Sequence, residues 1–421
     1  MKRRCYLLCG LLFAALPAWP QDRPPDLLTY GIVGNASSQS PAENPSVALA
    51  SHQVQQLMLD LARQPADPTA VGSALAGSKV SASDLVSAGL LRREGNHYVV
   101  NFTLFTAADL EKVRPLADRY ASALAREYLA HRPEFERTFA GYDLAGIDRR
   151  EVAFLLLGCF SLDWDGLRLT AEKGYRATAP VRTNGDRFFA WAEERTSTTL
   201  KEMYWGSHNA YYPASVLTSF GDHYSLPRNA FPDLLWQMSR VVRVAAQERT
   251  TPPELNALWT ASSELLGGKV GAVMLALRRG PRTSDELARS LNFSQQEIEP
   301  LLELLDKTGY VRQQNGRYAA AIPVLDANDK AMIDRIVGLS AQVMSAWLAA
   351  NYDSIRRELK DTTPLRYGVP YPQVFTQVWH YIFGATNREL VHAGLFTDPY
   401  AGGRSQGFVP VVWDPTVYRD H

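Results

Sequence analysis

Gly267 to Ala320 reads GGKVGAVMLALRRGPRTSDELARSLNFSQQEIEPLLELLDKTGYVRQQNGRYAA, and this stretch decides the fold. Val270, Val273, Met274 and Leu277 recur at helical spacing on one apolar face, and Gly280-Pro281 ends that helix. Thr283 and Glu286 have the spacing of a capping box, in which hydroxyl and carboxylate each satisfy an orphan N–H. They open a short helix with Leu287 and Leu291 inward. After Asn292-Phe293, Ser294 and Glu297 repeat the box. A third helix follows through Ile298, Leu301, Leu302 and Leu305, and Gly309 is its left-handed cap. Tyr310-Val311-Arg312, Asn315-Gly316 and Arg317-Tyr318-Ala319 then read as strand, tight turn, strand, Asn-Gly being a strong hairpin signal.

Three helices followed by a two-stranded wing resemble the winged-helix superfamily, as in MarR- and ArsR-type regulators. They also resemble the winged-helix dimerisation domain of small-molecule O-methyltransferases. Pro281, Leu287, Leu291, Leu301-Leu302, Leu305, Gly309-Tyr310-Val311 and Gly316-Arg317-Tyr318 carry the likeness. It implies a fold and not an activity. No glycine-rich cofactor loop follows Leu359, so methyl transfer is not implied.

A rougher copy lies over Leu57 to Val100. With the chain shifted by 220 positions, Leu85 falls on Leu305, Gly89 on Gly309, Tyr98 on Tyr318, Leu104 on Val324, Asp109 on Asp329 and Phe139 on Leu359. Upstream, a four-residue deletion aligns Met58 with Met274 and Pro65 with Pro281. The pattern is a duplication. Each copy is a winged helix plus a long helix, Ala107–Phe139 and Ala327–Leu359. The copies then diverge and meet again where Phe231-Pro232-Asp233-Leu234 resembles Tyr371-Pro372-Gln373-Val374, which leaves 140–230 as an insertion in copy one. It opens with an apolar helix, Glu151 to Leu162, and Asp163 and Asp165 follow in a Trp-centred turn. Arg187–Glu193 and Leu200–His208 read as strands, with Gly407–Trp413 of the tail as an edge strand beside them. The fold class expected is mainly α (α+β): two winged-helix modules with long trailing helices and a small antiparallel β insertion.

The resulting division is 1–21 signal peptide, 22–45 disordered leader and 46–139 first module. It continues with 140–230 insertion, 231–266 connecting helices, 267–359 second module and 360–421 C-terminal helix and tail strand. Lys2-Arg3-Arg4 before an apolar run that is too short for a comfortable span reads as a bacterial secretory leader. The expected location is periplasmic or secreted, with no stable transmembrane anchor. Removing those three cations leaves 41 basic against 44 acidic residues, so charge offers no case for nucleic acid. Only Cys159 lies beyond the leader, in AFLLLGCF, and it reads as a buried small hydrophobe.

The third helix of copy two presents Gln295, Gln296, Glu297, Glu299, Glu303 and Asp306, an acidic face where a DNA reader needs donors and cations. The wings carry Arg92, Arg93, Arg312 and Arg317. The most site-like composition is in the insertion, where Tyr204, Trp205, His208, Tyr212, Asp222, His223 and Tyr224 combine aromatic faces with polar groups suited to a small ligand. Packing of aromatics is the competing reading of that cluster. No G-x-S-x-G, H-E-x-x-H or Ser-x-x-Lys set occurs, and no phosphate loop. No catalytic residue, metal ligand or cofactor is assigned. The reading is an exported, non-enzymatic binding or interaction protein with a protein or small-molecule partner, whether as monomer or homodimer. The alternatives are a DNA-binding regulator, or a hydrolase or metal-dependent enzyme with its site in 140–230.

Overall fold

The computed structural model describes residues 26–35, 43–183, 185–196, 207–220, 268–398 and 409–418. The first half contains β1 (Leu28–Asn35), α1 (Pro45–Leu49), α2 (His52–Arg63), α3 (Pro68–Ala74) and α4 (Ala82–Ser87). The hairpin β2 (Leu91–Glu94) and β3 (His97–Val100) follows, then β4 (Thr103–Phe105), α5 (Ala107–Ala130) and α6 (Arg132–Phe139). One continuous helical rod comes next: α7 (Arg149–Ala153), a π-helical stretch (Phe154–Asp165) and α8 (Gly166–Glu172). It leads to β5 (Arg187–Glu194). The second half contains β6 (Ser207–Tyr212), β7 (Ser215–Phe220), α9 (268–277), α10 (Ser284–Leu291) and α11 (Gln295–Lys307). The hairpin β8 (Val311–Gln314) and β9 (Arg317–Ala320) precedes β10 (Val324–Leu325), α12 (Lys330–Leu359), α13 (Thr363–Arg366), α14 (Tyr371–His392) and β11 (Val409–Trp413). The fold is mixed, with helices predominating and several small sheets.

The caps are where the sequence puts them. Thr283 and Glu286 form a reciprocal box, and Glu297 accepts from the backbone N–H and hydroxyl of Ser294. Gly309 has φ +76, and the Asn315-Gly316 turn has φ 51 and 73, backbone suited to a tight hairpin. The first long helix departs from expectation. It breaks at His131, because Pro133 has no N–H to continue the ladder and starts α6 instead. The second long helix begins with a 3-10 turn and then runs unbroken over Lys330–Leu359.

Further sequence expectations are corrected. The leader 22–45 contains β1, whose Leu28, Tyr30 and Ile32 alternate as a strand should and which pairs antiparallel with β5. Asp163 and Asp165 lie in the π-helical stretch, not in a turn. The tail strand is no edge and does not pair with Arg187–Glu193, since β11 lies between β10 and β7. Pro410 is tolerated there for a local reason. The N–H groups of Val412 and Asp414 donate toward β10, so the N of Pro410 falls on that same side, beyond the end of the short β10.

Residues 140–194, the first part of the expected insertion 140–230, belong to the repeat itself. Leu104 pairs with Ala192 and Phe105 with Glu193 in the parallel pair β4–β5. Val324 pairs with Val412 and Leu325 with Trp413 in the parallel pair β10–β11. Every one of these positions is related to its counterpart by the same 220-residue shift. The shift also lays α14 over the rod 151–172. The repeat therefore continues, without a gap, from α4 to β5 and from α11 to β11.

The two halves exchange contacts reciprocally. Arg92 reaches the carbonyl of Tyr367, and its counterpart Arg312 donates to the carbonyl of Ala145 at 3.1 Å. Arg132 donates to the carbonyl of Ala393 at 2.8 Å, and its counterpart Tyr352 to that of Tyr175 at 2.7 Å. The helices α5 and α12 cross antiparallel. Tyr128 meets Ser340 at 2.6 Å, and just beyond α5 Glu134 of α6 meets Arg335 at 2.9 Å. These contacts describe an internal pseudo-twofold. The four helical segments around it share one apolar core from Phe105 to Val417, while a smaller core holds the first module to β1 and β5. Among the described residues no helix is long and apolar enough to cross a membrane.

Candidate functional site

At the pseudo-twofold the π-helical rod meets α14, also antiparallel. Two glycines allow close approach. A Cβ on Gly158 would stand 2.8 Å from Oδ1 of Asn387, and one on Gly166 2.8 Å from the Trp379 ring. Asn387 donates Nδ2–H to the carbonyl of Gly158, and Trp379 donates Nε1–H to that of Leu162, both at 2.9 Å. The rod thus receives donors from the facing helix where its own turns are widened. Helix α14 is enclosed by protein nearly all round from Val374 to Asn387. Its buried polar side chains are therefore conspicuous.

Asp163 of the rod is 5% exposed, and its Oδ1 stands 3.9 Å from Nε2 of His380 on α14. Nδ1 of His380 is 2.7 Å from the carbonyl of Thr376. A carbonyl can only accept, so Nδ1 carries the proton and Nε2 presents its lone pair toward the carboxyl. Burial pushes the Asp163 carboxyl up to about 7, against a smaller downward pull from Arg176. Burial lowers His380 to about 4, opposed by the Thr376 bond and assisted by Arg176. Arg176 is itself lowered by burial. Between about pH 4 and 7 both members of the pair thus favour their uncharged forms, a carboxylic acid facing an imidazole nitrogen.

More polar groups line the same seam. Glu193 of β5 accepts from the Tyr381 hydroxyl at 3.0 Å, both side chains buried. Arg168 reaches the buried Asp165 at 3.4 Å. The Ser161 hydroxyl and Nε2 of Gln377 are buried without a hydrogen-bond partner among the described residues. Their repeat counterparts are mostly apolar: Asp163 falls on Phe383, Asp165 on Ala385, His380 on Phe160 and Gln377 on Leu157. The scaffold is duplicated, while the polar centre is not. Such a pair can hold or pass a proton at a nearly dry site.

The sequence-assigned cluster is not assembled within the described residues. Tyr204, Trp205, Asp222, His223 and Tyr224 lie outside them. His208 is on β6 opposite Ser219. Tyr212 is buried at the end of the β6–β7 hairpin, opposite Ser215. Cys159 is buried with its thiol pushed well up, as a packed hydrophobe would be. Among the described residues no group of three or more His, Cys, Asp and Glu could hold a metal ion. His380 and Gln377 escaped the sequence reading, although an ionisable residue inside the apolar run VWHYIFG is itself the signal of a buried polar contact. Comparison with protein-family models, with curated proteins and with solved structures gave no match.

Proposed function

We propose that the protein is an exported bacterial binding protein without catalytic activity of its own, in which two winged-helix modules serve protein contact. The observation that carries this reading is the engagement of the wing arginines. Arg92 and Arg312 each hold a backbone carbonyl of the opposite half, and Arg317 is held by Glu286 and the carbonyl of Pro281. A wing that docks on its own chain is used for protein contact.

The outward face of α11 supports the same reading. Glu297, Glu299, Glu303 and Asp306 are exposed there, and Lys307 and Lys269 are paired with Glu303 and Glu297. Nucleic-acid binding needs cations over phosphates. The basic start and short apolar run of the chain support export to the periplasm or cell exterior.

The test is fluorescence anisotropy with a labelled random duplex at low salt, about 50 mM, where phosphate contacts are strongest. No saturable binding is expected. Tight binding that collapses with added salt would replace this reading with a DNA-binding regulator.

One observation favours a second reading. A buried carboxyl and imidazole, Asp163 and His380, stand 3.9 Å apart, which would suit an enzyme whose site joins 140–230 to α14. Turnover of generic ester or glycoside substrates, lost in both Asp163→Asn and His380→Asn, would establish it.

A further inference from the structure

A groove of about 320 Å³ runs between α5 and α12 on the outer side of their crossing. It is bracketed by ion pairs, Glu134 of α6 with Arg335 and Arg119 of α5 with Glu358. Its walls are repeat counterparts. Glu127 of α5 and His131, the residue that caps it, fall under the 220-residue shift on Trp347 and Asn351 of α12, and all four line the groove. The groove therefore lies astride the pseudo-twofold, where a symmetric ancestor would have two like walls. Here the walls differ.

Among the described residues that line the groove, Glu127, an exposed carboxylate, is the one side chain of fixed charge. The floor is apolar, with Val343, Ala346 and Trp347. Trp347 is 4% exposed, and its Nε1 has no hydrogen-bond partner among the described residues. Asn351 is held in place by donating to the carbonyl of Trp347 at 2.7 Å.

We infer that this groove binds a small organic cation, an amine on an apolar body, with the charge at Glu127 and the body over Val343, Ala346 and Trp347. The volume is at the small end of ligand sites. A carboxylate above an apolar floor selects a cation by charge-assisted hydrogen bonding and rejects anions. The inference deepens the binding reading proposed above. It stands apart from the question of nucleic acid, because amine binding is read directly whatever the duplex assay returns.

The experiment is a fluorine NMR titration of the whole protein with 4-fluorophenethylamine, run beside its neutral analogue 2-(4-fluorophenyl)ethanol. Saturable binding of the amine is expected, with a Kd of about a millimolar for so small a probe. The alcohol should bind roughly tenfold or more weakly, and Glu127→Gln should weaken the amine by a similar factor. Ala346→Trp, which fills the groove from an exposed helix position, should abolish binding. Failure of the amine to saturate would overturn the inference, as would equal binding of the alcohol or indifference to either substitution.

Discussion

Replacing Asp163 by Asn should make the stability of the protein pH-dependent where the parent pair is silent. In the folded chain Asp163 titrates near 7 against an ordinary 3.8, and His380 near 4 against 6.5. A raised carboxyl contributes stability that is complete below 3.8 and is lost as pH rises toward 7. A depressed imidazole contributes stability that is complete above 6.5 and is lost as pH falls toward 4. Between about pH 4 and 6.5 the unfolded chain carries its proton on the histidine, and the folded chain carries it on the aspartate. The pair binds the same number of protons in both states, so its two slopes cancel. Asn removes one slope. Stability should then rise by about 1.4 kcal/mol per pH unit across that window, or about 3 kcal/mol in all. Urea unfolding of parent and variant at half-unit steps from pH 4 to 7 measures it, and the difference between them removes every other titrating group. His380→Asn should give the opposite slope. A difference that stays flat within about 0.5 kcal/mol, well under the slope expected, would refute the claim that burial moves the proton from the histidine to the aspartate on folding.

Other substitutions probe the packing around the pair and between the halves. Gly158→Ala and Gly166→Ala each drive a methyl into the facing helix and should cost about 1–3 kcal/mol, whereas Gly338→Ala, with open space around its Cβ, should gain about 0.5–1 kcal/mol; thermal melts separate the two outcomes. Asp329→Ala removes a carboxylate 3.1 Å from Arg278, which keeps Asp143 at 2.6 Å, and deletes the acceptor that caps the N–H of Asp326, so it should cost about 1–2 kcal/mol in denaturant unfolding. Tyr128→Phe deletes the hydroxyl that meets Ser340 across α5 and α12 and should cost about 1 kcal/mol, read the same way.

The local pieces were legible in the chain because they depend on nearest neighbours. Thr283 with Glu286, Gly309 and Asn315-Gly316 encode caps and a turn within a few residues, and all take the expected form. The repeat was legible as far as the long helices, where apolar positions keep their period. It was lost beyond them because Phe383 against Asp163, and Trp413 against Glu193, share a place in the fold and no chemistry. Backbone pairing of β4 with β5 and of β10 with β11 preserves the register that the side chains had erased. The polar centre was illegible for a related reason. Asp163 and His380 are far apart in the chain, and only the antiparallel seating of α14 on the rod brings them together. Sequence composition drew attention instead to Tyr204, Trp205, His208, Tyr212, Asp222, His223 and Tyr224, whose density in aromatics fits packing as readily as binding.

Where the native protein resides, and in what form, bears most directly on the proposal that it is an exported binding protein. The measurement is fractionation of tagged native protein with mass spectrometry of its N-terminus. A chain processed near Gln21 in the periplasmic or secreted fraction is the result expected. An intact Met1 on protein in the cytoplasm would contradict the account.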